Sequence, residues 1–324
     1  MLKPFLLAPM AELSHRALRE LIFSFGGVDE YFTEMINAPS LIGGGPLEKY
    51  YIDAGPCPDR VVFQLVGADA EKLAGAARIL DTMECKGIDI NMGCAAPAIS
   101  KYGAGVKWMF DQEKAKKMVH LVRKSTKKRL SVKIRLGPDE NFEYLVSFCR
   151  GLAAEGVEFI TLHPRTAREK FKRRAKWDYV SMLKAELSIP VAGNGDIASL
   201  DDLESRGKGP WDAVMVGRLA VKCPWIFAQA RAKNDEEFRK MLPSRVDMED
   251  VACRYLDLLE KFQPREFHKT RAQRFFLYYC DNFVWGNYLK TLLGRETGFA
   301  KMKEVLGNYF NEHPQEKEVF LINN

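Results

Sequence analysis

The sequence of 324 residues lacks paired cysteines. Its seven cysteines are an odd number, scattered from Cys57 to Cys280, and no two of them form a Cys-x-x-Cys pair. Disulfide frameworks and zinc sites depend on closely spaced cysteines, so we expect neither a disulfide scaffold nor a metal site. This usage of cysteine is typical of a reducing compartment and predicts a cytoplasmic protein.

Long apolar runs are also missing. No stretch approaches the roughly 18 to 20 consecutive apolar residues that a membrane span needs. The apolar residues 5–8 are interrupted by Pro9 and soon followed by charged residues, so this segment is too short for a signal peptide. The sequence therefore predicts a soluble protein that has no membrane partner.

The charge balance is not extreme, but the basic residues are unevenly distributed. Forty-nine Lys and Arg against 43 Asp and Glu give a formal charge of +6. Basic residues dominate three stretches, at 114–135, 165–176 and 265–303, and the first contains ten of them and no acid. A solvated helix face explains the first stretch as well as phosphate binding does.

Short apolar runs alternate with segments of helical spacing. Strands are predicted at 5–8, 31–36, 61–66, 88–92, 130–136, 159–163, 189–192 and 213–216. Helices are predicted at 16–25, with Ser14 as a cap, and at 70–80, 112–125, 142–155, 179–187 and 200–205, whereas 37–59 is a predicted long loop. Eight repeats favour an α/β fold, a (β/α)8 TIM barrel, over a doubly wound sheet, because no Gly-x-Gly-x-x-Gly follows the first strand.

The pattern changes after Trp225. Only helices are predicted from there on, at 236–241, 251–262, 269–283, 287–293 and 301–310. Pro243 separates the first of these helices from the others. We therefore divide the chain into a TIM-barrel catalytic domain at 1–240 and a small C-terminal helical domain at 241–324.

Polar residues and glycine turns follow the predicted strands, at the end of a parallel barrel that carries active sites. The candidates are Pro9, Met10, Ala11, Gln64, Asn91, Cys94, Lys133, Arg135, His163, Arg165, Asn194, Gly195, Asp196, Gly217 and Arg218. Barrels commonly bind phosphate at the turns after strands seven and eight, where Arg218 would add a charged donor. The pattern predicts a phosphate-bearing cofactor in the barrel mouth.

Lys133 and His163 follow neighbouring predicted strands, and both carry or can carry positive charge. Such charge would stabilise the anionic reduced ring of a flavin. Two simpler interpretations remain open: Lys133 can be a strand-end ion-pair partner, and His163 can bond a backbone carbonyl.

Cys94 differs from the other cysteines by its context. It closely follows a predicted strand and precedes the irregular stretch 95–105, which contains Pro97, Gly103 and Gly105 and could close as a lid. A free thiol is mostly protonated at neutral pH, so Cys94 can serve as a general acid or as a nucleophile. The residues alone leave both roles open.

Five motifs together resemble the tRNA-dihydrouridine synthase family. They are Ala-Pro-Met-Ala at 8–11, Asp-Ile-Asn-Met-Gly-Cys at 89–94, Val-Lys-Ile-Arg-Leu-Gly at 132–137, Asn-Gly-Asp-Ile at 194–197, and Gly-Arg at 217–218 with Pro-Trp-Ile-Phe at 224–227. They lie in the family's order over about residues 4–228. The helical tail is similar to the family's RNA-binding domain.

The resemblance implies reduction of the C5–C6 double bond of a uridine in tRNA, with FMN as cofactor and NADPH as reductant. It implies that FMN is held by Pro9, Met10, Ala11, Gln64, Lys133, His163, Asn194, Gly195, Asp196, Gly217 and Arg218. Cys94 would be the acid that protonates C5 while hydride reaches C6. Asn91, Arg135 and Arg165 would contact the uracil or its ribose-phosphate.

The sequence departs from the family pattern at Ala95, where the family usually has proline, and at Pro164, where it usually has glycine. Residues 106–108 also replace the small residues expected after the lid. These changes bear on the lid and on the choice of uridine. They leave the chemistry intact.

Three other functions are compatible with parts of the sequence: a flavin barrel that reduces a small molecule, the same chemistry on ribosomal RNA, and an RNA-binding protein with an inactive site. The basic stretches argue against the first, and intact Cys94, Lys133 and Arg218 argue against the last. Aromatic residues that can stack on bases are Phe171, Tyr278, Tyr279 and Trp285, although Phe275, Phe276 and Tyr279 have the spacing of a helix core. We expect a monomer.

Overall fold

A closed barrel of parallel strands precedes a helical tail in the computed structural model, which describes residues 2–169 and 172–321. The strands of the barrel are β1 (Phe5–Leu7), β2 (Glu30–Phe32), β3 (Ile36–Asn37), β4 (Val61–Val66), β5 (Gly87–Met92), β6 (Arg129–Ile134), β7 (Phe159–Leu162), β8 (Val191–Asn194) and β9 (Ala213–Val216). They pair in the order β2-β1-β9-β8-β7-β6-β5-β4-β3, and β2 also pairs with β4, which closes the ring. The prediction of a (β/α)8 TIM barrel is confirmed.

The second strand was predicted as one strand at 31–36, but the structure divides it into β2 and β3. The interruption is made by side chains that bond to the backbone in place of ladder hydrogen bonds. The Thr33 hydroxyl accepts from the Gln64 amide at 3.1 Å and donates to the Glu34 carbonyl at 3.0 Å. The Glu34 carboxylate accepts from the Glu12 amide at 2.9 Å.

Helices alternate with the strands and cover the outside of the barrel. They are α1 (Arg16–Phe23), α2 (Ala38–Gly43), α3 (Glu48–Tyr51), α4 (Ala70–Asp81), α5 (Pro97–Ser100), α6 (Gln112–Lys124), α7 (Phe142–Ala154), α8 (Asp178–Glu186), α9 (Leu200–Arg206), α10 (Arg218–Lys222) and α11 (Ile226–Ala232), with 3₁₀ turns at Pro58–Arg60 and Gly105–Phe110. On α6, Met118 and Val122 are buried whereas Lys114 and Lys117 are exposed. The first basic stretch thus includes a solvated helix face.

Two local predictions were wrong because capping signals were misread. The segment 37–59 contains α2 and α3 rather than only loop: the Asn37 carboxamide accepts from the Ser40 amide at 3.0 Å, and Gly44, at φ +66°, ends α2. Ser14 is not the cap of α1, which begins after His15. The Ser14 hydroxyl instead accepts from the Met10 amide at 2.8 Å.

Apolar side chains fill the lower half of the barrel interior. Its apolar side chains come from several strands: Leu6, Phe32, Val62, Phe159, Ala192, Ala213 and Met215. At the amino-terminal end, the Arg129 guanidinium pairs with the Glu30 carboxylate at 2.7 and 2.5 Å. A functional site must therefore lie at the carboxyl end of the strands.

The tail packs its helices around aromatic side chains. It contains α12 (Glu236–Met241), β10 (Arg245–Asp247), α13 (Met248–Phe262), α14 (Arg265–Tyr279), α15 (Gly286–Arg295), α16 (Phe299–Glu312) and β11 (Glu318–Phe320), with 3₁₀ turns at Cys280–Asn282 and Pro314–Glu316. Phe275 stacks on Tyr255 and Tyr279, with ring centroids 3.8 and 4.9 Å apart. Phe275, Phe276 and Tyr279 are therefore core residues, and the predicted base-stacking residue Phe171 lies outside the described residues.

The prediction of helices only in the tail was wrong. β10 and β11 pair as a two-stranded antiparallel sheet that puts Val246 opposite Val319. Each strand has three residues, which is too short to show the alternation that identifies a strand in the sequence. The domain division at 240/241 stays a prediction.

No helix within the described residues is long and apolar enough to cross a membrane.

A buried ion pair joins the tail to the interrupted second strand. The Arg271 guanidinium of α14 lies 2.8 Å from the Glu34 carboxylate, and the two side chains are only 2% and 4% exposed. Burial raises the pKa of Glu34, although the charge of Arg271 opposes this shift. A nearby pair between Arg274 and Glu12, with 3.0 Å between its charged atoms, is 43% and 46% exposed and serves as a comparison.

Replacing Arg271 by methionine should lower the free energy of unfolding by about 3–5 kcal/mol, because it leaves a buried carboxylate without its partner. Arg274→Met should change the unfolding free energy by at most about 1 kcal/mol, since exposed pairs contribute little. Equilibrium urea unfolding, followed by tryptophan fluorescence, measures both. Equal losses in the two variants would show that the Arg271 pair does not stabilise the attachment of the tail.

Candidate active site

The carboxyl ends of the strands bring most of the predicted site residues to one end of the barrel. Strand register places Asn91 of β5 directly opposite Lys133 of β6, and Lys133 opposite Thr161 of β7. Gln64 of β4 lies opposite Asp89 of β5, one layer deeper than Asn91. Because successive residues of a strand point to opposite faces, this register gathers polar side chains inside the barrel, above its apolar layer.

Cys94 lies two residues beyond β5 and is partly buried. The Asn91 carboxamide oxygen accepts from the Cys94 amide at 2.9 Å and from the Gly93 amide at 3.2 Å. The Cys94 carbonyl accepts from the Val106 amide at 3.0 Å. Gly105 has φ +61°, and a Cβ atom there would come within 2.5 Å of the Cys94 carbonyl oxygen. The backbone on both sides of the thiol is thereby fixed.

A chain of buried side-chain hydrogen bonds continues from Asn91 into the barrel. The Asn91 Nδ2 donates to Gln64 Oε1 at 2.9 Å, and Gln64 Nε2 donates to Asp89 Oδ2 at 2.7 Å. The Ser131 hydroxyl donates to Asp89 Oδ1 at 2.6 Å. Burial raises the pKa of Asp89 to about 6, although the bonds from Ser131 and Gln64 oppose this shift.

Gln64 and Asn91 were predicted to contact ligands, whereas Asp89, which accepts hydrogen bonds from Gln64 and Ser131, was missed. In the structure Gln64 is fully buried and Asn91 is nearly so, and both bond protein groups. The signal for Asp89 was an acidic residue within an otherwise apolar strand. Its partners come from other strands, so they cannot be read without the register.

Lys133 provides an ammonium group at the mouth. Its Nζ makes no hydrogen bond or ion pair to any residue in 2–169 or 172–321, so the simpler interpretation as a strand-end ion-pair partner finds no support. Burial, followed by the charge of Arg135, lowers the pKa of Lys133 to about 8, although Asp89 and Cys94 act in the opposite direction. This arrangement suits an anionic ligand.

His163 is neutral, which corrects the expectation that it adds positive charge. The Arg165 guanidinium donates from Nη1 to His163 Nε2 at 2.9 Å, so Nε2 accepts and the ring proton lies on Nδ1. Burial and the charges of Lys133, Arg135, Arg165 and Arg218 lower the pKa of His163 far below its ordinary value.

Arg165 also holds the turn after β8. Its Nη2 contacts both carboxylate oxygens of Asp196 at 2.6 and 2.7 Å, and Asp196 accepts from the Ala175 amide at 2.6 Å. Burial acts to raise the pKa of Asp196, but these hydrogen bonds outweigh it and lower the pKa. Gly195, at φ +118°, permits the close approach, because a Cβ there would lie 2.9 Å from the His163 ring.

Arg135 links the cysteine turn to the loop after β7. Its Nε donates to the Gly93 carbonyl at 2.8 Å and its Nη1 to the Thr166 carbonyl at 3.2 Å. Arg135 and Arg165 are only 4% and 3% exposed. Their hydrogen bonds shape the mouth, and the contact with substrate that was expected of them stays a prediction.

The remaining candidates lie at the ends of β1, β8 and β9. The Asn194 carboxamide donates to the Met215 carbonyl at 2.8 Å and ties β8 to β9. Pro9, Met10 and Ala11 follow β1, and a Cβ at Gly217 would lie 3.5 Å from the Met10 sulfur. These residues form the rim next to the turns after β8 and β9.

A cationic cleft of about 740 Å³ opens beside this rim, between the loop after β7, the ends of β8 and β9, and α14. Among the described residues, seven Lys or Arg and three carboxylates line it: Arg165, Lys172, Arg173, Arg174, Arg206, Arg218, Lys222, Asp196, Asp202 and Asp281. Tyr278 of the tail forms part of one wall. The basic stretch 165–176 predicted part of this surface. Arg206 and Lys222 were missed because they lie on other helices.

The described residues contain no group of three or more His, Cys, Asp or Glu that could hold a metal ion.

Comparisons with known proteins identify the family. Residues 6–318 match the family described as "Dihydrouridine synthase (Dus)". A Rickettsia typhi protein named "Probable tRNA-dihydrouridine synthase" is 28% identical over 94% of each chain. Proteins of the same name from Helicobacter pylori and Aquifex aeolicus are 25% and 30% identical, over 97% and 81% of this chain and 94% and 81% of theirs. The chain therefore belongs to the dihydrouridine synthase family of flavin-dependent oxidoreductases.

Proposed function

We propose that the protein reduces the C5–C6 double bond of a uridine in tRNA to 5,6-dihydrouridine, with FMN as cofactor and NADPH as reductant. The observation that carries this proposal is the position of the Cys94 thiol, at the barrel mouth and within electrostatic reach of Lys133 and Arg135. Membership in the family and the names of the relatives support the same reaction.

The residues of the mouth fit FMN. The Lys133 ammonium would stabilise negative charge on the ring, and Arg218, with the turns after β8 and β9, would hold the phosphate. Pro9, Met10, Ala11, Gln64, Lys133, His163, Asn194, Gly195, Asp196, Gly217 and Arg218 stay the predicted flavin residues. Gln64 and Asp196 would act through the hydrogen bonds that shape the site. When bound, FMN supplies the hydride for C6 of the uracil.

Cys94 would supply the proton. Saturating a C5–C6 double bond adds one hydrogen to each carbon, and C5 gains negative charge as C6 is reduced. An S–H bond at Cys94 breaks as the new C–H bond forms, and the positive charges of Lys133 and Arg135 stabilise the thiolate that remains. This need for a proton favours the role of acid over that of nucleophile.

The cationic cleft supports RNA rather than a free nucleoside as substrate. Its surplus of positive charge is larger than a single FMN phosphate requires, and its walls come from both the barrel and the tail. We propose residues 241–324 as the RNA-binding domain, with Tyr278 and the 56% exposed Trp285 available for base stacking. Asn91, Arg135 and Arg165 stay the predicted substrate-side residues, and a monomer in the cytoplasm stays expected.

The first test is spectroscopic. The purified protein, or the protein reconstituted with FMN, should be yellow, should lose its flavin absorbance with NADPH, and should recover it faster with unmodified tRNA than with free uridine. Protein that cannot bind FMN would contradict the proposal. Faster recovery with uridine would indicate a small-molecule reductase, and faster recovery with ribosomal RNA would change the substrate.

The second test removes the proposed acid. Cys94→Ala should still bind FMN and be reduced by NADPH, yet should form dihydrouridine at least about 100-fold more slowly, the usual contribution of a positioned acid. Cys85→Ala, which removes another partly buried thiol just before β5, should match the wild type. Dihydrouridine is measured by mass spectrometry of digested tRNA. Normal product formation by Cys94→Ala would exclude it as the proton donor.

The third test concerns the charge of Lys133. A lysine with its pKa lowered to about 8 is charged below that pH and neutral above it, so FMN affinity should fall as pH rises through and beyond 8. Lys133→Met should bind FMN weakly, and its affinity should depend less on pH. Lys128→Met, just before the other end of β6, is the matched control. Isothermal titration between pH 6 and pH 9.5 measures the affinities, and identical pH profiles for all three proteins would refute the assignment.

A further inference from the structure

Asp89 is a fully buried carboxylate in the middle of β5. It lies opposite Gln64 on one neighbouring strand and Ser131 on the other, and it accepts a hydrogen bond from each side chain. The positive charges of Lys133 and Arg129 act on it and oppose the rise of its pKa that burial causes. It is too deep to touch a ligand.

The carboxylate fixes the orientation of the next side chain. An ionised carboxylate has no hydrogen to donate, so Gln64 must turn its NH2 group towards Asp89. The oxygen of the same carboxamide then necessarily faces Asn91. Burial raises the pKa of Asp89 to about 6, which is still below neutral pH, so the carboxylate is mostly ionised there.

The orientation of Gln64 in turn fixes that of Asn91. Gln64 Oε1 can only accept, so Asn91 presents its NH2 group there and its oxygen to the Gly93 and Cys94 amides. Those backbone amides can only donate. If Asn91 were reversed, its NH2 group would face two N–H donors, and the turn would lose both hydrogen bonds.

We propose that Asp89 is a positioning residue that fixes, through Gln64 and Asn91, the backbone of the turn that carries Cys94. Asp89, Gln64 and Asn91 form a relay of hydrogen bonds, and Asp89, at its buried end, sets the direction of each bond. The catalytic consequence rests on the proposed function, because it requires Cys94 to be the acid. The effect of Asp89 on the conformation of the turn does not depend on the proposed function.

Three variants test the relay. Asp89→Ala removes the acceptor that orients Gln64. The pair Asp89→Asn with Gln64→Glu restores the wild-type direction, because the introduced asparagine donates to the introduced glutamate, which still accepts from Asn91. Ser131→Ala is the matched control, since it removes a hydrogen bond to Asp89 but leaves the bond between Asp89 and Gln64 in place.

The readout is hydrogen–deuterium exchange at the Gly93 and Cys94 amides of the purified full-length protein, with the amides of β5 as an internal reference for folding. Asp89→Ala should exchange about ten-fold faster at Cys94, the factor expected for the loss of one hydrogen bond of ordinary net strength. The double variant and Ser131→Ala should exchange at the wild-type rate. The kcat for dihydrouridine formation should fall in Asp89→Ala.

Unchanged exchange in Asp89→Ala would overturn the relay, and so would equally fast exchange in all three variants, which would indicate a general loosening of the barrel interior. Fast exchange in the double variant alongside Asp89→Ala would show that hydrogen-bond direction is irrelevant. If exchange follows the expected pattern but even the wild-type protein forms no dihydrouridine, the relay stands and the proposed function fails.

Discussion

Side-chain hydrogen bonds inside the barrel hold the turn of Cys94, because polar groups taken out of water must find partners within the protein. Asp89, Gln64 and Asn91 meet this requirement among themselves and end on the backbone of the cysteine turn. The apolar layer beneath these side chains keeps water away from their hydrogen bonds. The position of the thiol is thus a property of the barrel interior rather than of the loop alone.

The mouth also concentrates positive charge around a small volume. Burial, together with the charges of Lys133, Arg135, Arg165 and Arg218, lowers the pKa of His163 far below its ordinary value, so that the imidazole stays neutral among four cations. Asp196 neutralises only part of this charge, through Arg165. An anionic ligand would relieve the mutual repulsion of these groups. This relief of repulsion is the physical basis of the proposed affinity for phosphate and reduced flavin.

Sequence alone was sufficient for features that depend on local pattern. Buried parallel strands are short apolar runs, and their ends can be read directly, so the barrel and the placement of Cys94 and Lys133 followed from the sequence. Features that depend on distant partners were missed. The division of the second strand into β2 and β3 depends on the side chain of Thr33. The pairing of β10 with β11 joins segments about 70 residues apart. The role of Asp89 depends on strand register.

The pair of Glu34 and Arg271 has a consequence for how relatives of this protein can diverge. Each partner lies on a different side of the junction between barrel and tail, and either one alone would leave a charge stranded away from water. A tail transplanted from a homologue would therefore be accepted only together with the matching residue of the second strand. Glu34 and Arg271 should therefore vary together among relatives, as a pair.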